Sequence, residues 1–361
     1  MRTVRRLAVV LAILAVGSLA AAAEFRETVS VRADHLVLRN LVGHVDVVRG
    51  GDRFELEIHV QGGDADRSGV RVVQEEEDGA QVVRVLYPEG EDTFIYPPMG
   101  RGKTTIQYRR ESSRDRGFWD RLRGAVGGER ITVKGKGSGY EAWADVTVKV
   151  PDGAYAEVFL GAGDIRAQDV RARLNLDTHS GPVEAKGIRG DLVCDTGSGE
   201  VAVRDCEGRV HVDTGSGSVR GEKLRGAKVL VDTGSGSVTL EDVECEALDV
   251  DTGSGGVEAH DIRTDAARID TGSGGVTLEL GRMGRGKFLI DTGSGSVDLT
   301  LPRDASCRVD CDTGSGGVKV DIPGVDVERD GRDEARFKVG GGEARMVIDT
   351  GSGGIRVRTA S

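Results

Sequence analysis

Asp-Thr-Gly-Ser is a string with catalytic precedent, and this chain carries it eight times. DTGSG starts at Asp195, Asp213, Asp232, Asp251, Asp270, Asp291, Asp312 and Asp349, and a variant, DTHSG, starts at Asp177. In an aspartic protease such a string supplies one of two carboxylates that share a proton across two lobes. Nine copies stepping by 18, 18, 19, 19, 19, 21, 21 and 37 residues instead set the aspartates in a row, one per repeated unit. Neighbouring carboxylates roughly 5 Å apart repel by about 1 kcal/mol in water. Two arrangements would offset that cost. Each Asp could accept a backbone N–H of the following turn, or a Ca²⁺ ion could sit between units on carboxylates and carbonyls. Calcium rolls use denser Asp-Gly repeats, so the turn is the favoured reading and no cofactor or metal is expected.

Other chemistry is thinner. Nucleophilic use of the repeated Ser or Thr needs an adjacent base, and His35, His44, His59, His179, His211 and His260 are scattered. Gly281–Lys287 and Gly100–Thr104 imitate phosphate loops, but neither leads from a strand into a helix and each lacks a required residue. Arg189-Gly190-Asp191, a cell-attachment tripeptide, is a chance match in a chain this rich in Gly, Arg and Asp. Of the five cysteines, Cys194 and Cys311 share one repeat position six repeats apart in sequence. Cys206 and Cys245 fall roughly 10 Å apart and Cys307 and Cys311 about 13 Å, beyond bridging distance. Free, buried thiols are expected, with no zinc site.

The elements that carry the row can be read from its flanks. With each Asp at position 0, positions −3 and −1 are apolar in all nine copies, and +6 is Val183, Val201, Val219, Val238, Val257, Val276, Val297, Val318 or Ile355. Alternation marks strands, and β-branched residues suit them. The pair at +6 and +8 is out of phase with −3 and −1, so Gly-Ser-Gly must bend the chain, with φ > 0 the expected reason for glycine. Thr at +1 points inward, where its hydroxyl could satisfy buried backbone groups. Each repeat is then strand, corner, strand, return loop. One repeat cannot bury its own apolar pairs, but stacking at roughly 4.8 Å does. The fold class is therefore all-β: a parallel β-solenoid, or single-chain β-helix, with 18–21-residue rungs and a right-handed winding preference. Two degenerate rungs, around Arg39 and Phe159, extend the frame.

Arg2, Arg5 and Arg6 precede an apolar run from Leu7 to Ala23, with Ala21 and Ala23 before a plausible cut. This pattern predicts a secretory signal peptide over 1–23, with no transmembrane domain left after cleavage. Its loss would move the formal charge from −11 to −14, which disfavours nucleic acid as partner. Residues 24–158 read as an N-terminal β region with strands at Arg53–Val60, Val70–Gln74, Gln81–Tyr87 and Val146–Val150 and an Arg-rich insertion over about 90–140. Residues 159–361 read as the regular solenoid, with an excursion over about 322–342. Within the insertion, Arg114, Arg116, Phe118, Trp119, Arg121, Leu122 and Arg123 combine charge with helical apolar spacing. They predict a short helix packed on the solenoid, or a lobe that touches an anionic surface or a partner.

NLVGHVDV at Asn40, VKVPDGAYAEV at Val148–Val158, the DTGSG rungs, LPRDASCRVDCDTGSG and the closing VIDTGSGGIRV together resemble the bacterial putative-adhesin domains built of β-strand repeats. The resemblance covers nearly the whole mature chain and implies an exported β-helical domain with no established enzyme activity. The reading is a non-enzymatic envelope protein, periplasmic, secreted or on the surface. It would act as a structural or adhesion-like module, presenting a rigid acidic face to an envelope surface, polysaccharide or protein. The alternatives are a polysaccharide-acting β-helix enzyme, which needs an irregular cleft with clustered carboxylates, and a calcium-binding or self-associating scaffold.

Overall fold

The computed structural model describes residues 24–107 and 130–360. The leader expected over 1–23, and the lobe expected at Arg114, Arg116, Phe118, Trp119, Arg121, Leu122 and Arg123, lie outside the described residues. Apart from one 3₁₀ turn at Pro97–Met99, the described regular structure is β-strand, and the fold is a parallel β-solenoid. The chain divides into two compact units, residues 1–181 and 182–361.

In the C-terminal unit the rungs stack in strict register, with Asp195 opposite Asp213, Asp213 opposite Asp232, Asp232 opposite Asp251 and Asp251 opposite Asp270. The inward columns at −3, −1 and +6 are buried throughout. The return leg is a strand rather than a loop. Val219–Thr233, Val238–Thr252 and Val257–Thr271 each run unbroken through it. A left-handed residue at +10 makes the second corner: Asp205 (φ 52°), Lys223 (55°), Asp242 (54°) and Asp261 (51°). The residue after it, Cys206, Leu224, Val243 or Ile262, turns inward as a third buried column. Gly221 interrupts the +8 column because Leu240 and Leu224 fill its place; a Cβ there would lie 2.7 Å from Leu240 Cδ2.

The DTGSG glycines of this unit are not left-handed, contrary to expectation. They are required by close stacking. A Cβ on Gly236 would stand 1.8 Å from the carbonyl oxygen of Gly217, and one on Gly255 1.9 Å from that of Gly236.

Stacking order departs from sequence order at the far end. Lys287–Thr292 pairs in parallel with Ala344–Thr350, which pairs in turn with Cys307–Thr313. On the next leg Val297–Leu301 pairs with Ile355–Thr359, and that with Val318–Asp321. The last rung in sequence thus lies between the rungs of Asp291 and Asp312, so Cys194 and Cys311 are seven stacking steps apart rather than six. The excursion supplies the reason. Val327–Asp330 and Glu334–Val339 form an antiparallel pair, and the second strand covers the outer edge of Cys307–Thr313.

In the N-terminal unit the two degenerate rungs are neighbours, with Leu38 opposite Val158 and Arg39 opposite Phe159. The described residues between them include antiparallel additions. Phe54–Gln61 joins Trp143–Val150 to Phe25–Val31, and Arg71–Glu77 pairs with Ala80–Leu86. A separate three-stranded sheet holds Thr93–Ile95, Arg130–Lys134 and Lys103–Gln107. The four strands expected in this stretch are present, each running one to three residues further at one end, and three of them one residue short at the other.

Candidate functional site

Two places concentrate polar side chains. The first is the repeated corner of the C-terminal unit. Thr196, Thr214, Thr233, Thr252, Thr271, Thr292, Thr313 and Thr350 are all buried. The hydroxyls of Thr214, Thr233, Thr252, Thr271, Thr292, Thr313 and Thr350 do two jobs, as in Thr252: it accepts the N–H of Gly255 in its own turn (3.1 Å) and donates to the carbonyl of Gly236 in the adjacent rung (3.0 Å). The donor at +4 is therefore held by threonine, not by the aspartate. The expected hydroxyl ladder exists and ties corner to corner.

The Asp side chains at position 0 point outward, and Ser at +3 is exposed at every corner. Spatially the column runs Asp195, Asp213, Asp232, Asp251, Asp270, Asp291, Asp349, Asp312. Arg268 reaches into it, 2.6 Å from Asp270 and 3.5 Å from Asp251 and Asp249. Partial burial, with the charges of Asp251 and Asp291, pushes the Asp270 carboxyl up against the pull of Arg268. Asp177 belongs to the N-terminal unit and opposes Phe159. Successive in-register aspartates on one outward face are not a proton-sharing dyad across a cleft. Among the described residues no group of three or more His, Cys, Asp and Glu is arranged to hold a metal ion.

The tempting strings fall to local geometry. Gly281–Lys287 passes from one strand to the next, and Gly100–Thr104 from the 3₁₀ turn to a strand. Both charges of Arg189-Gly190-Asp191 are engaged: Arg189 with Asp205 and Glu207, and Asp191 with Arg209 at 2.5 Å. All five cysteines are free and buried. Burial pushes the thiols of Cys206 and Cys307 up to about 11 and that of Cys311 to about 12, so they are unreactive.

The second place is a cleft of about 270 Å³ in the N-terminal unit, lined by residues including Arg26, Glu27, His44, Asp46, Glu57, His59 and Asp145. His44 is clamped between carboxylates, Nδ1 2.8 Å from Asp164 and Nε2 2.9 Å from Asp46. The hydrogen bond to Asp164 leads in raising its pKa to about 9 despite opposing burial, and the same bond depresses Asp164. Asp145 accepts the His44 backbone N–H (2.9 Å) and the Gln61 side-chain amide (2.6 Å). Sequence reasoning left His44 among scattered histidines. A signal was present: counted from Arg39 and Phe159, His44 and Asp164 both occupy +5 of adjacent rungs. Asp145 arrives from a strand 101 residues away and had no such signal.

Against known proteins, the Toastrack DUF4097 family matches residues 143–358, well over half of the chain. The chain belongs to the Toastrack DUF4097 family. This agrees with the resemblance read from its motifs. A search of curated proteins returns no match. Similar solved structures include a putative cell adhesion protein from Clostridium sporogenes, 10% identical over 93% of this chain and 100% of that one, TM-score 0.23. A putative adhesin from Parabacteroides distasonis is 12% identical over 94% and 98%, TM-score 0.42. One from Bacteroides fragilis is 11% identical over 93% and 97%, TM-score 0.32.

Proposed function

We propose that this Toastrack protein is a non-enzymatic, exported envelope module that binds its partner along the acidic corner column. The observation that carries the reading is the in-register line from Asp195 to Asp312, with an exposed Ser beside each Asp. A ligand met by equivalent rungs finds the same carboxylate and hydroxyl at each strand spacing, about 4.8 Å. Such a surface suits an extended, repetitive or cationic partner on the envelope, and it gives no rung a unique catalytic role. The test is capture from envelope extract by the full chain and by Asp232→Asn/Asp251→Asn/Asp270→Asn. Loss of captured material with unchanged melting is expected; full retention would overturn the reading. Removing Glu111–Gly127 in the same assay separates the Arg-rich segment's contribution from the column's.

One observation favours the enzyme alternative: the N-terminal cleft gathers Asp46, Glu57, Asp145 and Arg26. Its electrostatics argue against acid–base work. A general base is best poised near the working pH, whereas His44 is held as a cation up to about 9. Asp145 is occupied by two donors. Release of new reducing ends from acidic polysaccharide, abolished by Asp145→Asn, would restore the enzyme reading.

A further inference from the structure

We propose that the rung formed by Ala344–Thr350 and Ile355–Thr359 is exchangeable, and that the slot it fills accepts the same segment from a second copy of this chain. Stacking order sets this rung apart. This rung is bonded on both edges, to the Asp291 rung on one side and the Asp312 rung on the other, although both precede it in sequence. An element so placed enters between neighbours that are already covalently joined to each other.

Three features make its exchange physically reasonable. The segment is tethered to its own excursion through Gly340-Gly341-Gly342, with Gly340 at φ 55° and Gly342 at φ 73°, a run that offers a hinge. Its recognition uses the repeated corner, together with contacts of its own such as Arg358 Nε donating to Thr300 Oγ1 (3.0 Å). Thr350 Oγ1 donates to the Gly295 carbonyl (2.9 Å), and Thr313 Oγ1 donates to that of Gly353 (2.8 Å). Asp349 lies opposite both Asp291 and Asp312. The same segment of another copy supplies identical contacts, which is the condition for a low-cost swap. Finally, the vacated state has its own way to close. The Asp291 and Asp312 rungs carry the same corner and the same inward pattern, so they can stack on each other in repeat register while the last rung is out. Emptying the slot therefore does not leave bare edges on both walls.

The occupant is the 344–359 segment of a second copy, because that segment already matches both walls of the slot residue for residue. The test uses full-length chains. One carries Leu289→Cys and the other Val347→Cys, residues that lie opposite each other on adjacent strands. Both variants are first shown to melt as the parent does. They are then mixed at high concentration, warmed below the transition and oxidised. A Leu230→Cys chain mixed with Val347→Cys is the control, since Leu230 occupies the same outward position on an interior rung. Exchange predicts a disulfide-linked heterodimer from the 289/347 mixture at about tenfold or more over the control, the slot acting as a high effective concentration. Equal yields in the two mixtures, or no heterodimer, would overturn the proposal. If either variant melts early, Lys287→Cys with Arg345→Cys repeats the test at the next exposed register pair.

Discussion

In the C-terminal unit one set of five residues builds every corner; in the N-terminal unit no two corners are alike. Where the regular rungs place Thr at +1, the first rung has Asn40, buried, whose side-chain amide donates to the carbonyls of Ala144 (2.8 Å) and Val42 (3.2 Å) and whose oxygen meets the Tyr87 hydroxyl (3.0 Å). Where they place Asp at 0, it has Arg39, paired with Glu77 at 2.9 Å, and the neighbouring degenerate rung has Phe159, buried with Val37, Ala80 and Val82. Glycine at +4 is left-handed in this unit, at Gly43 (φ 143°), Gly163 (132°) and Gly181 (142°), and not in the other. Corners at equivalent positions are thus turned with a different backbone conformation and held by unrelated chemistry. Repetition gives interchangeable rungs and a surface with no privileged point. Irregularity gives a histidine clamped by two carboxylates. The contrast predicts that damage to a regular corner is geometric, whereas damage to the N-terminal unit is electrostatic and depends on pH.

The most severe break is a single methyl group. Gly255→Ala would put a Cβ 1.9 Å from the Gly236 carbonyl oxygen, and backbone cannot yield there without parting two rungs. A loss above about 4 kcal/mol, or failure to fold, is expected. Its neighbour sharpens the comparison. Gly256→Ser meets nothing nearer than 3.3 Å, and Ser already stands at the equivalent Ser218, Ser237 and Ser296. It should change the free energy of unfolding by less than about 0.5 kcal/mol, read by chemical denaturation. A tolerated Gly255→Ala would show that these corners stack more loosely than described.

The N-terminal unit is tested by alkali. Folded His44 titrates at about 9 against 6.5 unfolded, so the folded state holds the extra proton between those values. Its contribution is full below pH 6.5 and is lost as pH rises through 9. At 1.36 kcal/mol per pH unit the whole effect is on the order of 3 kcal/mol. Asp164 works in the opposite sense: its pKa is depressed, so its share is lost as pH falls through the folded value. His44→Gln should flatten the alkaline limb of a stability–pH profile and leave the C-terminal corners untouched. An unchanged limb would break the assignment.

Thr252→Val comes next. It keeps the shape but strands the Gly255 N–H and the Gly236 carbonyl, costing about 2 kcal/mol in chemical denaturation. This ladder was legible in the sequence, because alternation from the apolar −3 and −1 forces +1 inward. The solenoid was legible for the same reason: period, phase and β-branched residues all point one way. Three things were not. The third inward column follows a left-handed Asp or Lys at +10, residue types that alternation alone reads as surface. The reason for the corner glycines was hidden because close approach between rungs exists only after stacking. The final rung's position was hidden because all rungs share one register, so sequence identity cannot rank their neighbours; only the hairpin over Cys307–Thr313 fixes the order.

The smallest effect belongs to the acidic column. Asp291 is exposed, and its charge helps push the Asp270 carboxyl up. Asp291→Asn removes one of the two like charges opposing Arg268, so the Asp270 pKa should fall, as followed by NMR titration of its side-chain carbon. Stability should rise by no more than about 0.5 kcal/mol, and less in high salt, since exposed charges at strand spacing are well screened. The column is then a surface the fold tolerates rather than requires. A loss of stability above about 1 kcal/mol would reverse that ranking. It would place the aspartates with the threonines as parts of the corner, and remove the argument that their repetition serves a partner.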